Sequence, residues 1–268
     1  MSFYTSLNGM KNAQTDLSVI AHNIANVETN GFKRSRTEFA DVVVGSALVN
    51  PRMVQGVGAT LESITQNFAV GPIEQTGSAL DIAVNGDGFF TTRSTTGQTL
   101  YTRNGSFGLD ENGYVTDNAY NRLQGYAVDA SGVPTSTTPA DLQIPATNAG
   151  AEFASVTVAG DGNLIASYDD GSTIIVGKVA LASFVSPNGL KQVGSSNWQA
   201  TGLSGPANYG NPGEGRYGDL MSGGIERSNV DIAEELVSLI TAQRNFQANA
   251  KAIDAATQIS QAVINLRT

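Results

Sequence analysis

Residues 3–28, FYTSLNGMKNAQTDLSVIAHNIANVE, decide the fold: they lack proline, contain one glycine, and place Phe3, Met10, Leu17 and Ile24 seven residues apart. Ala13, Ile20 and Val27 fall three residues after Met10, Leu17 and Ile24, which completes an a/d stripe over roughly three heptads. This spacing predicts one amphipathic helix, stopping at Asn30-Gly31, where glycine tolerates the left-handed conformation that ends helices. The far end of the chain repeats the design. Ile232, Leu239, Phe246 and Ile253 sit seven apart, with Leu236 and Ala250 at the matching d positions of a second helix from Asp231 to about Leu266. Ser228 or Asn229 is placed to cap it, and Asp231, Glu234 and Glu235 put negative charge at the positive end of its dipole. Past residue 256 the stripe moves to Ile259, Val263 and Leu266. At ~1.5 Å per residue this second helix reaches about 54 Å, farther than the shorter first helix can cover. Part of its apolar face therefore needs other chains.

Between the helices the texture changes to short runs of Val, Ile, Thr, Tyr and Phe broken by Asn85-Gly86, Asn112-Gly113 and Asp170-Gly171, which read as hairpin turns. Residues 173–184, TIIVGKVALASF, read as one buried strand or two. Gly and Pro cluster from Gly202 to Gly224 and mark the return toward the second helix. The fold class is α+β: N- and C-terminal helices paired as a coiled coil around an inserted, mainly-β domain. The expected divisions are 1–30 and 230–268 for the helical domain, 31–75 and 216–229 for a connecting segment, and 76–215 for the outer β domain.

Composition removes most chemistry. The chain has 268 residues, no Cys, one His and a formal charge of -9. Without thiols there is no disulfide framework, thiolate metal site or cysteine nucleophile, and His22 alone is poor material for zinc or triad chemistry. A pI near 4.5 argues against a phosphate-backbone partner, since that needs clustered Lys and Arg. No run approaches the ~18 apolar residues of a membrane span, and the first ten residues carry no basic-then-apolar secretion signal. The acidic charge is concentrated between residues 41 and 230, while both helical ends are nearly neutral. Neutral ends on an acidic body are the pattern of a subunit whose ends pack and whose body faces water.

Individual motifs add no catalytic site. Gly86-Asp87-Gly88 and Gly160-Asp161-Gly162 resemble phosphate-loop fragments but precede no helix, so they read as turns. Asp110, Asn112 and Gly113 lack the further ligands of a calcium loop. Asp169 and Asp170 are adjacent and point to opposite faces of a strand, so they make no acid/base pair. Asn104-Gly105-Ser106 reads as a turn. Lys33, Arg34 and Arg36 form the one basic cluster and read as a solvated or interchain contact. The reading from residues alone is therefore non-enzymatic, with no catalytic residues, no metal and no cofactor.

Several segments resemble a known group, the bacterial flagellar rod and hook axial proteins. LSVIAHNIANVETNGFKR at 17–34 and SNVDIAEELVSLITAQRNFQANAKAI at 228–253 are similar to the terminal signatures of that family. LDIAVNGDGFF at 80–90 and YTRNGSFGLDENGY at 101–114 are similar to its inner β segments. The resemblance implies terminal helices forming a coaxial coiled coil around a channel, with the β domain outside. It also implies export through the flagellar export apparatus without a cleaved signal peptide, to the hook or basal body.

The expected function is a subunit of the tubular hook that transmits torque between basal body and filament, with the distal rod as the alternative. A secreted β-rich enzyme or glycan-binding module is the remote reading. MSFYTSLNGM and VINLR resemble the hook protein, while the short span between Phe90 and Ser228 and the segment VGSALVNPRMVQGVGAT at 44–60 resemble the rod. His22 stands where Asn is expected in the first signature. The expected assembly interface is Phe3, Leu7, Met10, Leu17, Ile20 and Ile24 against Ile232, Leu236, Leu239, Phe246, Ile253, Ile259 and Val263. The expected partners are further copies of the chain in a helical homopolymer, adjacent rod, hook, cap or junction proteins, and the export apparatus, with no nucleic acid and no integral membrane span.

Overall fold

The structure, a computed structural model, describes residues 2–44 and 55–265. Most of the 44–60 segment compared above with the rod lies outside the described residues. The chain divides into two compact units: residues 1–27, 34–67 and 230–268 in one, residues 28–33 and 68–229 in the other. The α+β class holds, with a helix at each end and a large β body between them.

In the first unit, helix α1 (Ser2–Ala25) packs against helix α2 (Ile232–Asn265) and against a long antiparallel hairpin of strands β1 (Ser35–Val44) and β2 (Gln55–Gln66). The hairpin registers Ser35 opposite Gln66 and Val44 opposite Gln55, with irregularities at Glu38/Phe39 and Val42/Val43 that add local twist. So the stretch expected to be a mere connector contributes a ribbon beside the helices. Two boundary readings change. Helix α1 ends at Ala25, with turns to Gly31 at φ +66°, and α2 is capped by Asp231. Asp231 Oδ1 accepts the Ala233 and Glu234 N–H groups at 2.8 and 3.2 Å, so the orphan donors are met one position from the helix, nearer than Ser228 or Asn229.

The second unit is built on an antiparallel sheet whose main path runs through residues 147–148, 151–158, 163–168, 173–179, 122–126, 89–93, 99–102, 197–199 and 191–194. The 173–184 run is two strands, Thr173–Val179 and Leu181–Ser183. Asp170-Gly171 and Asn112-Gly113 do close hairpins, joining 163–168 to 173–179 and 108–109 to 115–116. Asn85-Gly86 does not: Ile82–Asn85 pairs with Asp219–Ser222, far along the chain. Ile82, Val84, Phe90, Leu123, Leu164 and Leu181 form the larger core, and Phe89, Tyr101, Phe184 and Trp198 a second one with Phe68 against it. Each such side chain taken fully from water contributes roughly 1.5–3 kcal/mol before entropy is charged.

Asp141 gives this unit a pH-dependent contact. Burial pushes its carboxyl up, but Gln124 Nε2 at 2.5 Å and Arg122 Nη1 at 3.0 Å donate to it and hold it below the usual carboxylate value of 3.8. A depressed carboxylate stabilises the fold above its unfolded pKa, and that contribution vanishes as pH falls through the folded pKa. The expected result is that the Tm gap between the native chain and Asp141→Asn is full near about pH 6 and shrinks only as pH falls below the ordinary carboxylate value toward the depressed pKa of Asp141. A gap independent of pH over that range would assign the effect of Asp141 to packing.

Candidate assembly interface

The helix pair of the first unit is the candidate site. Ile20 and Ala13 of α1 are buried, and Leu7, Met10, Leu17 and Ile24 are half-buried. On α2 the inward positions are Glu235, Leu239, Ala242, Phe246, Asn249 and Ile253, one turn-phase away from the most apolar stripe. Ile232 and Leu236 are 46% and 45% exposed, and Ile240 and Val237 lie beside them at 49% and 66%. Ile259 is 66% exposed and Phe3 39%, and the Val263 side chain lies outside the described residues. Within one chain, then, Leu239, Phe246 and Ile253 are half-buried on a helix that packs against α1, while Ile232, Leu236 and Ile259 are exposed. The helices come close at Gly9, where an added Cβ would sit 2.5 Å from Asn249 Oδ1. Small residues permit that approach.

Why Glu235 turns inward while Leu236 does not is visible in its partners. Asn23, 1% exposed, donates from Nδ2 to Glu235 Oε2 at 3.2 Å and to the Ser35 carbonyl at 2.8 Å, while its Oδ1 accepts the Ser35 N–H at 2.9 Å. Arg34 adds ion pairs to Glu235 at 2.6 Å and Glu234 at 2.9 Å. This buried carboxylate is hydrogen-bonded through Oε2 and charge-paired through Oε1 with Arg34, and it ties α2 to α1 and to the start of β1. Asn12 Nδ2 donating to the Ala59 carbonyl at 2.9 Å ties the other side of α1 to β2. Sequence reading missed Asn23 altogether and read Glu235 only as charge at the helix dipole; the available signal was the polar pair Asp16 and Asn23, seven apart and each one position before a seam residue. A polar groove of about 680 Å³ lies along this junction, lined by Asp16, Asn23, Arg34, Thr37 and Glu235.

The basic cluster splits. Arg34 serves the helix junction, whereas Lys33 is fully buried in the other unit, with Nζ 2.5 Å from Glu226 Oε1. That corrects the reading of Lys33 as solvated or interchain: its charge is matched inside the chain, by a residue too distant in sequence to be foreseen. Burial pushes the Lys33 amine below its ordinary value against the opposing pull of Glu226. His22 is exposed, and Asn26 Nδ2 donates to its carbonyl at 2.8 Å. Among the described residues no group of three or more His, Asp or Glu is placed to hold a metal ion, and no helix is long and apolar enough to cross a membrane.

The chain thus combines one unit of two terminal helices and a β ribbon with a second, antiparallel β unit, the parts of a structural protein without a metal-holding cluster among the described residues. Residues 3–33 match the flagella basal body rod protein family, residues 83–166 the flagellar hook protein FlgE/F/G D1 domain, and residues 221–266 the flagellar basal body rod FlgEFG protein C-terminal family. The chain is 36% identical to the flagellar basal-body rod protein FlgG of Bacillus subtilis over 279 residues, covering 99% of this chain and 98% of that one. It is 34% identical to FlgG of Buchnera aphidicola from Acyrthosiphon pisum, covering 99% of both chains. It is 26% identical to the flagellar hook protein FlgE of Escherichia coli, covering 100% of both in an alignment 411 positions long. The chain belongs to the flagellar rod and hook protein family, a family of structural components of the flagellum.

Proposed function

We propose that the chain polymerises through its terminal helices into an axial tube of the flagellum, at the rod, contacting adjacent axial proteins above and below. The observation that carries this is the open apolar stripe Ile232, Leu236 and Ile240 on a helix already packed on its other face. A helix that is apolar on two faces needs two neighbours, and one chain supplies one. A head-to-tail contact repeated without closure builds a helical tube. The rod position is supported by alignments to rod proteins that run almost without length change. The hook position has its own support in the end-to-end hook alignment, although those relatives carry a long insertion. Delivery by the flagellar export apparatus belongs to the same reading.

The test is electron microscopy of the concentrated full-length chain. Straight stiff tubes are the expected result; curved tubes would move the chain to the hook, and no tubes at any concentration would remove the polymer reading. Leu239→Asp should abolish tubes while leaving Trp198 fluorescence native, because it puts a charge against α1 without touching the β body. Normal tubes from that variant would rule out the helix pair as the assembling element.

A further inference from the structure

The β body carries an aromatic knob where the backbone does not favour one. Tyr120 adopts φ +60°, a conformation usual for glycine or asparagine, and its ring is 72% exposed. Asp117 builds the turn, its Oδ1 accepting the Ala119 and Asn121 N–H groups at 2.8 Å each. Among the described residues the ring makes no hydrogen bond or aromatic contact, so the strain of a non-glycine residue there is not offset by packing. Beside it lies a cleft of about 390 Å³ lined by Arg93, Arg122 and Asp141, a net positive spot on a chain of charge -9.

A second cleft in the same unit has the complementary character. It measures about 380 Å³, with Leu109, Pro145 and Phe153 in its walls and Ile144 buried at its floor. Glu111 and Glu152, both exposed, stand at its rim. An apolar socket ringed by carboxylates matches an exposed phenol flanked by guanidinium groups, and Tyr and Arg are the residue types that concentrate interface energy.

We infer that Tyr120 of one copy seats in the Leu109, Ile144, Phe153 socket of a second copy of this chain, with Glu111 and Glu152 of the second facing Arg93 and Arg122 of the first. The inference rests on the polymer reading for its occupant and deepens it, since it assigns the contact between β bodies to named residues. Charge complementarity chooses the occupant: the chain bears both halves of the match.

The chain has no native cysteine, so cross-linking is clean. Full-length chains carrying Ala119→Cys and Thr147→Cys, each exposed and lining one side of the contact, are mixed at the concentration used for microscopy and oxidised. The expected result is that 119–147 disulfides exceed 119–119 and 147–147 products by at least about tenfold, given the distance limits of a disulfide. Adding Tyr120→Gly should erase that preference while Tm holds or rises, because glycine adopts φ +60° without strain. Glu152→Arg should weaken the preference, and Arg93→Glu on the other chain should restore it. A statistical product mixture, or a preference untouched by Tyr120→Gly, overturns the inference. Tubes with statistical cross-links would sink this contact alone. Absent tubes with selective cross-links would sink the polymer and leave the contact standing.

Discussion

Glu226→Gln should cost the β unit roughly 3–5 kcal/mol, because it leaves two buried cations without their shared counterion. The Glu226 side chain is fully buried; its Oε1 takes Lys33 Nζ at 2.5 Å and the Gly71 N–H at 2.8 Å, and its Oε2 faces Arg103 Nη1 at 3.4 Å. Lys33 also donates to the Ala69 carbonyl at 2.7 Å and Arg103 Nη2 to the Gly86 carbonyl at 2.8 Å. One carboxylate therefore gathers the turn after α1, the 69–71 segment, residue 103 and the return strand at Gly224–Glu226. Desolvation lowers the pKa of Lys33 and of Arg103, and Glu226 is the largest opposing influence on each. Between the lowered folded pKa of Lys33 and its unfolded value, the unfolded chain binds more protons, so stability from this group rises with pH across that window. Without Glu226 the window should widen downward, and Glu226→Gln should recover part of its loss when pH is raised toward 10. Trp198, the single Trp and fully buried in the same unit, reports unfolding in guanidinium. A triple replacement with apolar residues, Lys33→Met, Arg103→Met and Glu226→Leu, should regain most of the loss. A Glu226→Gln cost under about 1 kcal/mol would mean that the cluster is hydrated and not a counterion shared in a dry site.

That cluster marks where sequence reading stops. The helices were legible because their evidence is local: seven-residue spacing at both ends, with Asn30-Gly31 closing the turns that follow the first. The hairpins at Asp170-Gly171 and Asn112-Gly113 were legible for the same reason. Lys33 with Glu226, Asn23 with Glu235, and Ile82 with Ser222 are pairings across more than half of the chain, and no periodicity announces them. The phase of α2 shows a subtler limit. Apolarity alone selects Ile232 and Leu236 as the inward face, yet the chain turns Glu235 inward, where Asn23 and Arg34 hold it, which leaves the apolar pair exposed. A stripe tells which faces will be covered, not by what. Strand order in the body fails for the same reason, since residues 173–179 lie beside 122–126 and 181–183 beside 89–93, pairings set by the core and not by neighbours in the chain.

Gly105→Ala should be the most damaging single methyl in the protein. The loop at 104–106 lies directly on the strand Ile82–Asn85: the Ile82 N–H donates to the Gly105 carbonyl at 2.9 Å, and a Cβ at 105 would overlap the Ile82 carbonyl oxygen and stand 3.2 Å from Phe90 Cε2. Ile82 and Phe90 are both fully buried, and Phe90 stacks edge-on to Phe107 at 5.4 Å, so neither side can give way without opening the core. Relief requires separating two backbone segments, which breaks the Ile82 bond and displaces Arg103 from its carboxylate two residues earlier. The expected loss is about 4 kcal/mol or more, in the range reserved for backbone collisions and overpacked cores. Gly108→Ala is the matched control: it lies three residues on, has nothing within 4 Å of its added Cβ, and should change stability by under about 0.5 kcal/mol. Guanidinium unfolding of both, followed at Trp198, decides the matter. Equal midpoints would show that the 104–106 loop can lift from the sheet cheaply, and the asparagine-glycine-serine turn would then be a surface feature. Unequal midpoints in the stated order would give the YTRNGSFG segment its physical reason: it is the place where a loop needs a residue with no side chain so that the arginine before it can reach the buried carboxylate.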